Sequence, residues 1–351
     1  MKIGILGAGN VGRTLKAMLA SVEGVSGASL ADNAGDCDAH VDAATGENLA
    51  SFVTEHDAIV NALPFYLNKA VAVACAERRR SYFDFSEDVE STAFVRRLAM
   101  DEKELVFVPQ CGLAPGAVNI IGASLIASLD EVKSLELRVG ALPLSANNQM
   151  KYYLSWSSSG LINEYIKLSD ALYRGEPIKT LPLEGREQIV FDGVSYEAFN
   201  TSGGVGTMCE TYKGRIGDLN YKTIRYPGHL DHMRFLIHDL GLGDRPDLLA
   251  QIFDQAVPPT RRDVVLIYAK AVGVLSRKLE QRTYLKKVRA AELFPATAIQ
   301  TTTAAGMAAV IELWCRGELK PGFVRQEEIS FERFLTTRWG GAIYGEVQSR
   351  S

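Results

Sequence analysis

The segment Gly7-Ala8-Gly9-Asn10-Val11-Gly12 constrains this chain more than any other. It stands directly behind the apolar run Lys2–Leu6 and directly before an amphipathic pattern over Val11–Ala20, so it reads as strand, glycine turn and helix. The first glycine permits a tight turn, the second lets a ligand approach the backbone, and the third lets helix and strand pack closely. The helix N-terminus then offers unpaired amides to an anion such as a pyrophosphate. A bare tight turn is the alternative. The strand, the helix and the next acidic residue, all in place, argue against it.

Up to about Gly112, short apolar runs alternate with helical patterns: Ala28–Ala31, Asn48–Thr54, Ala58–Leu63, Asn68–Arg78, Tyr82–Phe85, Thr92–Met100 and Leu105–Val108. This is the rhythm of a parallel sheet covered by helices on both faces. Asp32 closes the second apolar run, at the ~20-residue offset where a carboxylate meets the adenosine ribose. It accepts from both ribose hydroxyls and repels a 2′-phosphate, and Asn33 and Ala34 supply no arginine to welcome one. NAD is therefore expected, with NADP the lesser choice. Two further strand ends, Asn61-Ala62-Leu63-Pro64 and Gln110-Cys111-Gly112-Leu113-Ala114-Pro115-Gly116, complete the crevice. The expected cofactor residues are Gly7, Gly9, Asn10, Val11, Gly12, Asp32, Ala62, Leu63, Pro64, Gly112, Ala114 and Pro115.

Beyond Gly112 the strands lengthen and alternate in polarity: Ser134–Ala141, Glu187–Phe191, Tyr196–Asn200 and Lys222–Tyr226. A mixed or antiparallel second domain is expected, finished by Phe235–Asp239, Leu248–Gln255 and Val264–Val272. The last of these reads as strand or helix on periodicity alone. The small-residue stretch from Pro295 to Arg316 suits a helix packed closely on other backbone and is expected to return to the first domain. The fold class is thus α/β: a doubly wound parallel Rossmann sheet, 1–113 plus 296–345, and a mixed α/β substrate-binding and oligomerisation domain, 114–295.

The 351 residues allow two such domains. With 38 basic and 42 acidic residues, a formal charge of -4 and no clustered basic face, the chain is not expected to bind nucleic acid. No apolar run reaches the ~20 residues of a membrane span, and Lys2 opens directly into a strand rather than a signal sequence, so a cytoplasmic protein is expected. The five cysteines, scattered and without CxxC or zinc spacing, read as reduced thiols with no metal site.

Three segments carry a resemblance. GAGNVGR at the N-terminus, Cys-Gly-Leu-Ala-Pro-Gly-Ala-Val-Asn at 111–119 and Thr-Ile-Arg-Tyr-Pro-Gly-His at 223–229 resemble the saccharopine dehydrogenase superfamily, and within it the lysine 6-dehydrogenase branch. Trp156-Ser157, Glu197-Ala198-Phe199-Asn200-Thr201 and the helix around Gly306 extend the likeness over nearly the whole chain. The resemblance implies a discontinuous Rossmann domain closed by the C-terminal helix, a homo-oligomer (dimer or tetramer), and an amino-acid substrate oxidised or reduced at a C–N bond.

Oxidation of an amine requires it neutral, and an amine of pKa ~10.4 is mostly protonated at neutral pH, so a proton acceptor is needed. His229, at a strand end from which it titrates in the useful range, and Asp84, at the C-terminal end of a cofactor-side strand, are the catalytic candidates. Each has a plainer alternative: a turn histidine, and an acid in a capping loop where Ser86 and Asp88 serve the next helix. Arg225 suits a substrate carboxylate, against the alternative of a surface ion pair. Cys111, Tyr152 and Glu197 complete the expected substrate contacts, against an ordinary core-and-rim pattern. Cys111 is not expected to do redox chemistry. Three functions stay open: NAD-dependent oxidative deamination of the terminal amine of a basic amino acid, L-lysine foremost, by hydride transfer and iminium hydrolysis; a saccharopine- or opine-type reductase joining an amino acid and a keto acid through an imine; and a non-catalytic NAD-binding regulator.

Overall fold

A computed structural model describes residues 1–345. In chain order its elements begin β1 (Lys2–Leu6), α1 (Asn10–Leu19), β2 (Gly27–Asp32), β3 (Ala39–His40), α2 (Leu49–Thr54), β4 (Ala58–Asn61), α3 (Asn68–Glu77), β5 (Ser81–Asp84), α4 (Val89–Leu98), β6 (Val106–Val108) and α5 (Ala117–Ala127). There follow β7 (Glu131–Pro143), α6 (Ser158–Ile166), β8 (Ser169–Tyr173), β9 (Glu176–Thr180), β10 (Glu187–Phe191), β11 (Val194–Asn200), α7 (Met208–Tyr212), β12 (Ile216–Arg225), α8 (His229–Arg234), α9 (Pro246–Ala256), β13 (Asp263–Leu275) and β14 (Lys278–Arg289). Last come α10 (Ala298–Cys315), β15 (Gly322–Phe323), α11 (Phe331–Thr336) and α12 (Arg338–Tyr344). The chain forms two compact units, Met1–Ile120 together with the segment from Gln300 onward, and Ile121–Ile299.

The first unit holds a seven-stranded sheet, ordered β15-β6-β5-β4-β1-β2-β3, parallel throughout. Its inner strands are buried along their length, Ala58–Asn61 and Ser81–Asp84 completely, because helices cover both faces. Phe52, Val53, Ile59, Val71, Tyr82, Val95 and Phe107 share one core, each side chain worth about 1.5–3 kcal/mol on burial. From β1 the chain goes one way to β2 and β3, then returns to β4 on the other side. The glycine loop after β1 therefore sits at the switch point where such sheets bind ligands.

Helix α10 joins this unit as its small residues suggest. A Cβ added at Gly306 would stand 2.5 Å from the carbonyl oxygen of Gly112, so only glycine lets the helix lie against that loop. Trp314 packs edge-on to Phe83, the Trp339 indole donates to the Met18 carbonyl at 3.0 Å, and the Tyr344 hydroxyl donates to the Thr302 carbonyl at 2.6 Å. The C-terminal segment is thereby pinned to α1 and α10.

The second unit is built on an eight-stranded mixed sheet, β10-β11-β12-β7-β13-β14, with β8 attached to β12 and β9 to β8. β7 and β12 run parallel; the other described pairs are antiparallel. One sheet face packs on α6, α8 and α9 through Leu161, Tyr165, Phe199, Leu230 and Phe253; the other gathers Leu142, Tyr196, Ala198, Ile224 and Leu266. The ambiguous run at 264–272 is strand: β13 pairs with β7 on one side and β14 on the other, which satisfies its backbone where a helix would leave β7 open. Sequence reasoning missed the hairpin β8–β9 and the edge strand β14, whose many charges hide its pattern. Those charges guard an exposed edge. The fold class, a Rossmann-type parallel sheet with a second mixed α/β unit, is the one expected.

Replacing Gly306 by valine should lower stability by about 1–3 kcal/mol in urea unfolding, since the Gly112 carbonyl must move. Gly27→Ala, where nothing lies within 4 Å of the added methyl, should change it by less than about 0.5 kcal/mol.

Candidate functional site

In the first unit the three glycines have separate tasks. Gly7, at φ 112, turns so tightly that a Cβ would meet the Ala62 backbone at 2.7 Å, and a Cβ on Gly12 would fall 2.0 Å from the Gly7 carbonyl oxygen. Around Gly9, by contrast, nothing lies within 4 Å of the Cβ position. The loop is closed on two sides and open on the third, where Gly9 leads into α1. Such a cradle fits a pyrophosphate received by the helix amides around Asn10 and Val11.

Asp32 ends β2 beside this loop. One carboxylate oxygen accepts from the Ala8 amide at 2.6 Å and the other from the Asn33 amide at 2.8 Å. Each oxygen keeps further accepting capacity. Arg13, one residue beyond Gly12, reaches the same loop and donates to the Asp36 carbonyl. Asn33 and Ala34 supply no arginine, as the sequence shows, but α1 brings one from outside the β2 loop. Acids still outnumber it there, for Asp32 and Asp36 are joined by Asp38, which is paired with Lys16 at 2.5 Å.

The loop after β4 is held by Asn61, whose amide donates to Asn68 and whose oxygen accepts from Leu63 N–H at 3.2 Å. Ala62 and Leu63 thus lie against Gly7, with Pro64 leading into a short turn of exposed Phe65 and Tyr66. In the loop after β6, Gly112 N–H donates to the Pro115 carbonyl at 3.1 Å, and Ala114-Pro115 is a cis peptide.

Asp84 departs from its expected role. It is 1% exposed, and its carboxylate accepts from the Tyr82 hydroxyl, the Ser86 amide and the Gln110 amide at 2.8, 2.8 and 3.1 Å. Burial raises its pKa to about 6 against the pull of these donors. It braces the ends of β5 and β6 rather than facing a cleft, and its carbonyl also receives the Cys111 amide at 2.8 Å. Cys111 is buried, and burial pushes its thiol well above the ordinary range, which suits an inert side chain. Asp88 caps α4 by accepting from the Ser91 amide at 2.8 Å, as a capping role requires.

In the second unit the structure brings together Arg225, His229 and Tyr152, and adds Tyr165, which sequence reasoning missed. Arg225 is 2% exposed. Its Nε–H donates to the Tyr165 oxygen at 2.8 Å and its Nη1 to the Ile224 carbonyl at 2.9 Å, while the guanidinium lies 5.4 and 5.8 Å from the ring centres of Tyr152 and Tyr165. Among the described residues no carboxylate pairs with it. The remaining N–H donors make no hydrogen bond within the described protein.

His229 is fully buried. Its Nδ1 faces the Met150 carbonyl at 2.8 Å, so that nitrogen carries the proton, and Nε2 accepts from the Tyr165 hydroxyl at 3.0 Å. Burial, then the Arg225 charge, lower its pKa to about 3. The expected titrating, cleft-facing base is thus corrected to a neutral imidazole that orients Tyr165 toward Arg225. The reason is the cover provided by α6 and α8. Glu197 is corrected as well: one oxygen accepts from the Leu230 amide at 2.8 Å and the other lies 3.7 Å from Arg186, so it anchors the start of α8. The buried Tyr152 hydroxyl lies beside the Ser155 hydroxyl and the Trp156 indole, and neither hydroxyl makes a well-formed hydrogen bond.

With this geometry established, comparisons place the chain among known proteins. The sequence profile described as the Saccharopine dehydrogenase NADP binding domain matches residues 3–106, and the Saccharopine dehydrogenase C-terminal domain matches 112–338. Mitochondrial alpha-aminoadipic semialdehyde synthase of Mus musculus is 25% identical over 136 residues, 37% of this chain and 15% of that protein. Alpha-aminoadipic semialdehyde synthase of Arabidopsis thaliana is 26% identical over 128 residues, 35% of this chain and 12% of that one. The matches thus span only a small part of those relatives. The apo saccharopine dehydrogenase (L-Glu forming) of Saccharomyces cerevisiae shares the fold at TM-score 0.74, with 13% identity over 95% of this chain and 96% of that one. Among the described residues no helix is long and apolar enough to cross a membrane.

Asp84 gives a pH test. With its pKa raised from 3.8 to about 6, the folded state holds its proton more tightly than the unfolded chain. The resulting stability is present below about pH 4 and lost as pH rises through about 6, amounting to about 3 kcal/mol. Urea unfolding of Asp84→Asn from pH 4 to 7 should lack this fall; a parallel curve for both proteins would show that Asp84 does not titrate there.

Proposed function

The chain belongs to the saccharopine dehydrogenase family, and from that premise we propose that it is an NAD-dependent dehydrogenase that oxidises the terminal amine of a basic amino acid, L-lysine foremost, to its semialdehyde. The observation that carries the substrate class is Arg225. A buried guanidinium with Glu164 acting on it through space but no carboxylate in direct contact, and with donors to spare, matches the carboxylate of an amino acid. Tyr152 and Ser155, whose buried hydroxyls make no well-formed hydrogen bond, offer polar contacts to the same class of ligand.

In this reading Gly7, Gly9, Asn10, Val11 and Gly12 hold the pyrophosphate, Asp32 the adenosine ribose, and the loops at 62–64 and 112–115 the rest of the dinucleotide. When bound, nicotinamide supplies the hydride acceptor. The acids Asp32, Asp36 and Asp38 around the β2 loop favour NAD over its 2′-phosphorylated form, and Arg13 limits the preference. Neutral His229 acts through Tyr165 as a positioning residue: it keeps the phenol oxygen toward Arg225 and adds no second positive charge.

A second reading, a saccharopine- or opine-type reductase joining an amino acid and a keto acid through an imine, draws support only from the saccharopine in the names of the matched family domains and of the yeast structure. NADH absorbance separates the two. Lysine with NAD should generate signal under the first reading; consumption of NADH seen only with lysine plus 2-oxoglutarate would replace it by the second. Asp32→Ala should weaken NAD at least about 10-fold more than NADP, as expected for loss of charge-assisted hydrogen bonds; equal losses would remove Asp32 from the ribose. Lysinamide, lacking the carboxylate, should be used with kcat/KM about 100-fold lower than lysine. Equal use would exclude a carboxylate grip by Arg225.

A further inference from the structure

The second unit also contains a cavity of about 460 Å³ whose lining includes Lys151, Lys287, Arg289, Tyr196, Tyr226 and Val264. It opens where β7, β12 and β14 end and β13 begins. Tyr196 belongs to the core cluster on the face away from α6, α8 and α9, whereas Phe199, three residues on, belongs to the helical face. The cavity is therefore separate from the Arg225 cluster beneath α6 and α8.

Its charge is unusual for this chain. Three cations and no acid line it, in a protein of formal charge -4. Lys287 pairs with exposed Asp192 at 2.9 Å, but the Lys151 and Arg289 side chains have no ion pair or hydrogen bond among the described residues. Like charges repel, and exposed Asp192, paired with Lys287 and acting through space on Arg289, offsets this for those two, leaving Lys151 without an acid partner among the described residues. Lys151 is also not a loosely held surface residue. Its backbone is left-handed at φ 52, and the Asn148 side chain grips Tyr152 through both its N–H and its carbonyl, at 3.2 and 2.7 Å. On the other side the Met150 carbonyl is held by His229.

The floor is apolar and rigid. Tyr196 and Tyr226 stack at 5.5 Å between ring centres, and the Tyr226 hydroxyl is fixed by donating to the Pro143 carbonyl at 2.9 Å. Leu144 and Val194, both exposed, add apolar surface to the same lining, and buried Val264 lies directly across from Arg289 in the β13–β14 ladder. The geometry points to a binding site for a small organic dicarboxylate, whose carbon chain covers Leu144 and Val194 while its carboxylates meet Arg289 and Lys151. The volume lies within the range of small-molecule sites. An inorganic anion gains nothing from the floor.

The test is calorimetric titration of the full-length chain with glutarate and, separately, inorganic phosphate. Arg289→Met and Lys151→Met should each weaken glutarate about 10-fold or more, the scale of one charge-assisted hydrogen bond. Phosphate should bind at least about 10-fold more weakly than glutarate, for want of apolar contact. Unchanged NAD affinity and thermal unfolding in the variants establish that they fold. No glutarate binding up to about 10 mM, unchanged affinity in folded variants, or phosphate binding as well as glutarate would each overturn the site. Because binding is read directly, the outcome does not depend on amine oxidation.

Discussion

Burial of the Arg225 guanidinium is the constraint around which the second unit is organised. Removing a charge from water without a directly paired anion costs several kcal/mol, so beyond the through-space attraction of Glu164 the surrounding fold must supply compensation from neutral groups. It does so with two aromatic faces, one phenol oxygen and one backbone carbonyl. Each comes from a different place: Tyr152 from the loop before α6, Tyr165 from α6 itself, Ile224 from β12. The hydrogen-bond direction is forced along this chain. Arg225 donates to Tyr165, so the phenol proton goes to His229, so His229 must donate from Nδ1 to Met150. A protonated imidazole would reverse one link and set a second cation beside the first, which is why burial and Arg225 together hold its pKa down. The same groups that stabilise the guanidinium thus leave its remaining donors without a hydrogen bond among the described residues.

The first unit solves a different problem, close approach of backbones. Gly7, Gly12 and Gly306 are all places where a methyl group would strike a carbonyl or amide of another segment. Gly7 lets the turn after β1 lie against the loop after β4, Gly12 draws α1 onto that turn, and Gly306 draws α10 onto the loop after β6. Asp84 supports the far side by tying Tyr82, Ser86 and Gln110 together, with Gln110 itself held at φ 63. The loops that would face a dinucleotide are therefore fixed from behind by glycine contacts and by a buried carboxylate.

These two problems differ in how far they can be read from sequence. The glycine turn, the run of buried parallel strands and the small-residue helix are local patterns, and each was legible because spacing alone carries it. Strand β14 was not, since an edge strand rich in charge has no apolar period. The functional readings of His229, Asp84 and Glu197 changed for one reason: burial and partner choice depend on residues far away. Tyr165 and Met150 lie 64 and 79 positions from His229, and Gln110 lies 26 from Asp84. A histidine after a strand and an acid at a strand end look available until those partners arrive. Arg13 shows the converse, since its place one step beyond Gly12 on α1 was a signal that it would face the β2 loop.

Electrostatics then divides the molecule by ligand. The rim of the β2 loop is acidic, with Asp32, Asp36 and Asp38 against Arg13 and Lys16. The second unit carries cations without an ion pair among the described residues on both faces of its sheet, Arg225 within the helical face and Lys151 and Arg289 at the other. An unphosphorylated ribose suits the first environment, and carboxylates suit the second. A free ammonium gains nothing from either cationic group, so a lysine-like substrate would be held by its carboxylate end, and its terminal amine would lie away from Arg225. In the proposed reading, the distance between carboxylate and reacting amine, rather than recognition of the amine by a charged partner, would select the length of the substrate.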